Sequence, residues 1–156
     1  MADGLLVMPF GTTKFLTEAT MPAVRDGLAA TGRTEFAVVP EVIVSAGDDH
    51  EATRRLLAFY GSTPAYRPVL DIHGWGDLQP ELHAMTKQGR WMEMGALITD
   101  EVLHTIAACG TPRQIADHIR LRAEAAGGSD TVCLYQPGPI AVDILAAVVD
   151  ELSSTS

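Results

Sequence analysis

Three runs of consecutive apolar residues occur along the chain, at about 4–10, 36–44 and 131–135. Unbroken apolar runs of this length are typical of strands covered on both faces, as in a parallel sheet. Pro9 lies near the end of the first run and Pro137 follows the last, and proline helps to end a strand because it has no backbone donor. The pattern therefore predicts three strands.

Apolar residues at spacings of three and four predict helices between and after these strands. The clearest covers about 112–126, with Thr111 as its capping residue, Pro112 in its first turn and a glycine pair at its end. Further helices are predicted at about 13–31, 50–60, 69–72, 78–88, 90–98, 99–108 and 140–152. A helix that leads through a short turn into an apolar strand is the repeating step of a parallel sheet with helices outside it.

The predicted order is β-α-β-α, a helical insertion at about 61–108, and then α-β-α, in one domain over 1–156. The fold class is therefore α/β with about three parallel strands. Pro40 and Glu41 interrupt the middle of the second strand. Proline removes a ladder donor and glutamate introduces a charge, so we expect either a bulge or an inward-facing carboxylate at this point.

Composition narrows the choice of partners. The chain has 156 residues, enough for one ordinary core, and its net charge is −9. The chain has 11 Lys and Arg against 20 Asp and Glu, and no stretch of it is rich in basic residues. Nucleic acid is therefore not an expected partner, because binding a phosphate backbone requires a basic surface. No apolar run approaches membrane-spanning length, and residues 1–4 carry no positive leader, so we expect a cytoplasmic protein with no membrane partner.

Cysteine and histidine spacing predicts no metal site. Cys109 and Cys133 fit reduced, packed thiols better than a disulfide framework. The five histidines, at 50, 73, 83, 104 and 118, lack the spacing of zinc or iron ligands.

Several phrases of the sequence resemble the luciferase-like oxidoreductases. They are the run 3–10, the phrase from Ala58 to Leu70, the turn from His73 to Leu78, the segment from Lys87 to Trp91, and the pattern from Ala108 to Pro112. The resemblance is to the C-terminal half of these enzymes, in the branch that depends on the deazaflavin cofactor F420, and it covers nearly the whole chain.

The resemblance implies a partial (β/α)8 TIM barrel, in which the three predicted strands are the last three of eight. It also implies that the family's early strands, which carry its catalytic residues, have no counterpart here, so the catalytic residues are unknown. Three strands cannot close a barrel. We therefore expect a homo-oligomer or a complementary barrel half to cover the open side.

Within such a barrel, residues at the carboxyl ends of the strands are candidates for binding cofactor or substrate. Phe10 and Thr12 lie in the loop after the first strand, where a hydroxyl near a helix N-terminus could meet a phosphate or a substrate oxygen; the alternative is ordinary capping by Thr12. Glu41 could carry a desolvated carboxylate into the barrel.

The predicted insertion supplies the remaining candidates. Tyr60, Tyr66 and Arg67 could line a pocket for a planar or anionic ligand, or the tyrosines could lock the insertion onto the barrel. His73 and Trp75 could act in proton transfer or stacking, or could form a packed turn. At the end of the same insertion, Lys87 and Arg90 could hold an anionic group, or could be solvated.

The resemblance implies an oxidoreductase that transfers a hydride between F420, or alternatively FMN, and a small organic substrate. It also implies that this chain alone is inactive. The alternative interpretations are a non-catalytic truncated paralogue or partner subunit that completes another barrel, and a fragment of a longer protein.

Overall fold

A computed structural model describes residues 3–154 and places four strands in one parallel sheet. The strands are β1 (Gly4–Val7), β2 (Ala37–Ala46), β3 (Ala108–Gly110) and β4 (Cys133–Tyr135). The long strand β2 lies between β1 and β3, and it also pairs with β4. The predicted α/β class with parallel strands is therefore confirmed.

Helices connect and cover the strands. They are α1 (Thr13–Phe15), a π-helical turn (Leu16–Thr20), α2 (Met21–Thr31), α3 (Glu51–Gly61), a 3₁₀ turn (Pro64–Tyr66), α4 (Arg67–Asp71), α5 (Leu78–Lys87), a second 3₁₀ turn (Met94–Leu97), α6 (Asp100–Ile106), α7 (Pro112–Ala125) and α8 (Val142–Ser153). Within residues 3–154, none of these helices combines the length and apolar character needed to cross a bilayer.

The three predicted strands are present as β1, β2 and β4, and β3 is a fourth that was missed, because its first residue was predicted as the end of a helix. Helix α6 stops at Ile106, and Ala108 to Gly110 then pair with Val44 to Ala46 of β2. Three small residues carry little strand propensity of their own, so pairing with β2 decides their conformation. The predicted helix at 90–98 was also wrong, since a turn and the 3₁₀ segment Met94–Leu97 occupy it.

Strand β2 runs through Pro40 and Glu41 as one strand, Ala37–Ala46. The strand changes partner there: Val7 of β1 is in register with Pro40, and Cys133 of β4 is in register with Glu41. Pro40 thus lies in the last pair between β1 and β2. At this position the missing backbone donor removes the fewest hydrogen bonds between the two strands. Glu41 is half-buried.

The helix after β1 changes form before its proline. A π-helical turn precedes α2, and Pro22 lies in the first turn of α2. Proline cannot donate to the carbonyl four residues earlier, which accounts for the irregular turn. Helix α2 buries no residue completely, and its Ala23 and Leu28 line a groove of about 340 Å³ with Leu5 and Phe36.

The core divides into three clusters. The largest lies between the carboxyl end of the sheet and α3 to α6, and it includes Phe10, Ile43, Leu57 and Leu103. A second packs β2 and β3 against α7, and a third lies beneath β1. The largest cluster therefore fixes α3 to α6 over the end of the sheet where strand-borne functional groups would lie.

Helical spacing predicts that α3 buries Ala52, Leu56, Leu57 and Phe59 and that Val142, Leu145, Ala146 and Val149 share one face of α8, and the structure bears this out only in part. Helix α3 buries Leu57 and Ala58, whereas Phe59 is 52% exposed and Ala52 is also exposed. Helix α8 packs on α7 through Val148 and leaves Val142 and Val149 in solvent. Helical spacing alone allowed either face, and the neighbouring elements selected the one observed.

Helix α7 begins as its sequence predicts. Thr111 accepts a hydrogen bond from the backbone of Gln114, and the Gln114 side chain accepts one from the backbone of Thr111, which is a complete capping box. Gly110 has φ +103°, and a Cβ there would lie 2.4 Å from Oε1 of Gln114. Glycine therefore allows β3 to run directly into the capped helix.

Candidate functional site

Three aromatic rings meet at the carboxyl end of the sheet, and we call Phe10, Tyr60 and Tyr66 the aromatic cluster. Phe10 follows β1 and is fully buried, while Tyr60 at the end of α3 and Tyr66 in the first 3₁₀ turn are half-buried. The Phe10 ring centroid lies 5.9 Å from each tyrosine centroid, and the two tyrosines are 5.7 Å apart at 75°. The two tyrosines pack edge to face, and the Phe10 ring is tilted by 46° and 40° against them.

Glu41 and Tyr135 adjoin this cluster. Burial raises the pKa of Tyr60, and the nearby Tyr135, Glu41 and Tyr66 raise it further. Tyr60 therefore keeps its phenol proton at neutral pH and can donate a hydrogen bond. Tyr135 was missed as a candidate, although it ends the predicted last strand and lies in register with Ile43.

The loop after β1 is fixed to the insertion through Thr12. Its hydroxyl lies 2.8 Å from Nε2 of His73 and also accepts a hydrogen bond of 3.1 Å from the backbone of Phe15. Thr12 is 1% exposed, so it caps α1 and also contacts the insertion. The predicted capping is confirmed, and little of the hydroxyl remains accessible to a ligand.

His73 and Trp75 stack on each other, with centroids 4.5 Å apart and planes at 16°. Burial lowers the pKa of His73, and the cations Lys14 and Arg122 lower it further. The imidazole is therefore neutral at neutral pH, with one ring nitrogen bonded to Thr12. This geometry agrees with the packed-turn alternative predicted for the two residues.

A buried arginine that the sequence analysis did not identify also fixes the loop after β1. Arg122 on α7 is 2% exposed and donates hydrogen bonds to the carbonyl oxygens of Gly11 and Ile106, the latter at 3.0 Å. Burial lowers the pKa of its guanidinium to about 10. A signal was present, because Arg122 follows Ile115 and Ile119 on the buried face of its helix.

The other predicted cations lie apart from the aromatic cluster or are already paired. Arg67 is exposed and its Nε lies 3.4 Å from the Asp71 carboxylate. Lys87 is exposed at the end of α5, and Arg90 pairs with Glu93 at 2.6 Å beside a cavity of about 500 Å³. The structure therefore brings Phe10, Glu41, Tyr60 and Tyr66 together but adds none of these cations to them.

A second group of chemically active side chains lies where β2 and β3 end. His50, His104 and Cys109 each offer a ligand atom, and these atoms lie within 4.8 Å of one another. Burial raises the pKa of the Cys109 thiol to about 11. Sequence spacing gave no sign of this group, and Cys133, which was predicted to be in the core, is half-buried instead.

A parallel sheet with helices packed outside it and over its carboxyl end is the architecture of a part of an α/β barrel. The luciferase-like monooxygenase family matches residues 1–130, and the chain belongs to that family. An uncharacterized protein of Mycobacterium tuberculosis and one of Mycobacterium bovis are each 50% identical to it over 133 residues. The match covers 80% of this chain and 39% of either relative, so the chain spans well under half of their length.

Two solved structures share the fold. The coenzyme F420-dependent tetrahydromethanopterin reductase of Methanopyrus kandleri superposes with a TM-score of 0.69 at 22% identity, over 99% of this chain and 44% of that one. An F420-dependent secondary alcohol dehydrogenase, solved with an F420–acetone adduct, superposes with a TM-score of 0.62 at 15% identity, over 96% and 43%. The predicted partial TIM barrel is therefore confirmed.

Proposed function

We propose that this chain forms part of the wall and mouth of an oxidoreductase barrel that uses F420. The proposal extends to hydride transfer between the deazaflavin and a small organic substrate, with FMN as the alternative cofactor. It is supported by the family and by the fold shared with two F420-dependent enzymes. We further propose that the chain acts in the cytoplasm and is inactive without the rest of a barrel.

The observation that carries the proposal is the aromatic cluster with Glu41 and Tyr135 at the carboxyl end of the sheet. Half-buried tyrosine rings offer an apolar wall to a planar ring system, and the protonated phenol of Tyr60 offers a hydrogen-bond donor beside it. This set of groups fits a deazaflavin ring and a substrate oxygen. The cofactor, when bound, supplies the hydride chemistry, and the protein supplies orientation and electrostatics.

Each residue has a distinct part in this proposal. Tyr60 donates a hydrogen bond, and the Glu41 carboxylate helps to keep its phenol protonated. Tyr66, with the fully buried Phe10 behind it, supplies the apolar wall beside Tyr60. Thr12 and His73 act as positioning residues, because they hold the loop that carries Phe10 against the insertion.

The test is a titration of the purified chain with F420, followed through the visible absorbance and fluorescence of the cofactor. We expect a saturable change that weakens about tenfold in Tyr66→Ala, which removes one of the rings. Trp91→Ala is the matched control, since Trp91 is 49% exposed and lies outside the aromatic cluster. A spectrum unchanged at high protein concentration, or equal weakening in both variants, would contradict F420 binding at this cluster.

A second candidate function is that of a partner subunit that completes another barrel. The exposed side of β1 favours it: among residues 3–154 this strand pairs with β2 alone, and Leu6 is 59% exposed. Four strands are too few to enclose a barrel interior. A second copy of this chain or a complementary barrel half would cover that side.

A further inference from the structure

We propose that His50, His104 and Cys109 form a binding site for a divalent transition-metal ion of the zinc class. The three side chains come from the turn before α3, from α6 and from β3, so the fold and not a local motif brings them together. This site is separate from the aromatic cluster, and the inference does not depend on the proposed use of F420.

The donor set suits zinc. Two imidazole nitrogens and one thiolate are borderline-soft ligands, and Zn²⁺ binds them at about 2.0–2.3 Å in a tetrahedral arrangement. The ligand atoms already lie within 4.8 Å of one another, so adjustments of about 1 Å would bring them to bonding distance. Three protein ligands leave a fourth tetrahedral position for water.

Hydrogen bonds already orient the rings for metal binding. Nδ1 of His104 lies 2.8 Å from the carbonyl oxygen of Asp100. Because a carbonyl can only accept, this nitrogen carries the proton, and Nε2 keeps its lone pair. An imidazole held through its other nitrogen is the usual arrangement of a metal-binding histidine.

The same reasoning applies to His50 through Ser45. The Ser45 hydroxyl accepts a hydrogen bond of 2.7 Å from Thr53 and lies 2.8 Å from Nδ1 of His50. Ser45 is also in register with Cys109, and its hydroxyl acts to lower the pKa of that thiol against the larger effect of burial. A hydroxyl has one proton and two lone pairs. One lone pair of the Ser45 hydroxyl accepts from Thr53. When the Ser45 proton is directed to the Cys109 sulfur, the second lone pair accepts the proton on Nδ1 of His50, and Nε2 of His50 is left free for a metal.

Access and charge are compatible with a cation. His104 is exposed, which gives an ion a path from solvent, whereas Cys109 closes the inner side. The charge of Arg54 acts on Cys109, and this arginine already bonds the Asp100 carboxylate and the carbonyl oxygen of Ile98. Its charge is therefore balanced locally, which limits its repulsion of a bound metal.

The test is a titration of the purified, reduced chain with Co²⁺, a spectroscopic substitute for Zn²⁺. We expect one equivalent to produce a thiolate charge-transfer band and the visible bands of four-coordinate cobalt, both abolished by Zn²⁺. His104→Ala, at an exposed position, should weaken binding at least about 100-fold, and Ser45→Ala about tenfold.

Cysteine variants decide the ligand assignment. Cys109→Ser should remove the charge-transfer band, and Cys133→Ser, the matched control, should keep it. The proposal would be overturned if the wild-type chain bound Co²⁺ without the charge-transfer band, or if His104→Ala bound Co²⁺ as tightly as the wild type. Because His104 is exposed, circular dichroism of His104→Ala should show an unchanged fold, so a lost signal in that variant reports on the ligand.

Discussion

The hydroxyl oxygen of Thr12 lies 2.8 Å from Nε2 of His73, across 61 residues of sequence. Thr12 follows β1, and His73 lies in the turn between α4 and α5. The contact is buried on the Thr12 side and joins the strand-end loop to the insertion. It therefore couples the packing of Phe10, in the aromatic cluster, to the position of the insertion.

We predict that Thr12→Val and His73→Phe are energetically coupled. Each single change removes the same hydrogen bond. The double variant should therefore lose about 1 kcal/mol less unfolding free energy than the sum of the losses in the two single variants. Urea denaturation of the four proteins measures the coupling free energy. Thr17→Val is the matched control, because the exposed Thr17 hydroxyl bonds the local Thr13 carbonyl and should show no coupling with His73. A coupling near zero for the Thr12 pair would contradict the contact.

A second prediction concerns acid stability and His118. Its Nε2 is buried without a hydrogen-bond partner in the described part of the chain, and burial together with the Arg122 charge lowers its pKa to about 4. An unfolded histidine titrates near 6.5. Between about pH 6.5 and pH 4 the unfolded state therefore binds a proton that the folded state does not, and stability should fall as the pH falls, by about 3 kcal/mol in all.

The comparison of wild type with His118→Gln isolates this contribution, since carboxylates titrate in both proteins. Above pH 7 the imidazole is neutral in both states, so the difference in unfolding free energy should be constant there. Below pH 6.5 the variant should lose less stability per pH unit than wild type. Parallel stability curves from pH 7 to pH 4 would rule out a depressed His118 pKa.

Arg122 supports the third prediction. Arg122→Met keeps much of the buried volume but leaves the carbonyl oxygens of Gly11 and Ile106 unpaired. Each unpaired buried acceptor costs about 1–3 kcal/mol, so unfolding free energy should drop by at least about 2 kcal/mol. Arg113→Met on the exposed face of the same helix should change it by less than about 0.5 kcal/mol. Equal effects at the two positions would show that the two hydrogen bonds do not stabilise the fold.

Sequence patterns predicted the elements whose signals are local. Helix α7 carries its cap, its proline and its terminating glycines within twenty residues, and it folds as predicted. Strand β3 carries no such signal, because Ala108 to Gly110 become a strand only through pairing with β2. The face that α8 buries depends on α7, which helical periodicity in α8 does not specify.

The candidate site divides in the same way. Tyr60 and Tyr66 are close in sequence, and the structure places their rings in contact. His50 and Cys109 are 59 positions apart, and they meet because Ser45 of β2 is in register with Cys109 of β3. A spacing search for metal ligands cannot find such a pair, since it depends on strand register and not on a motif.

The last prediction concerns the open side of β1. Leu5 and Leu6 are 38% and 59% exposed on a strand that pairs on one side only within residues 3–154, and unpaired strand edges favour association. We expect the purified chain to self-associate in sedimentation velocity, and Leu6→Lys to weaken association at least about tenfold, because burying one leucine contributes about 1.5–3 kcal/mol. Leu121→Lys, at a 55% exposed position on α7, is the matched control. A wild-type chain that sediments as a monomer at all concentrations, or equal dissociation by both lysine variants, would contradict association through β1.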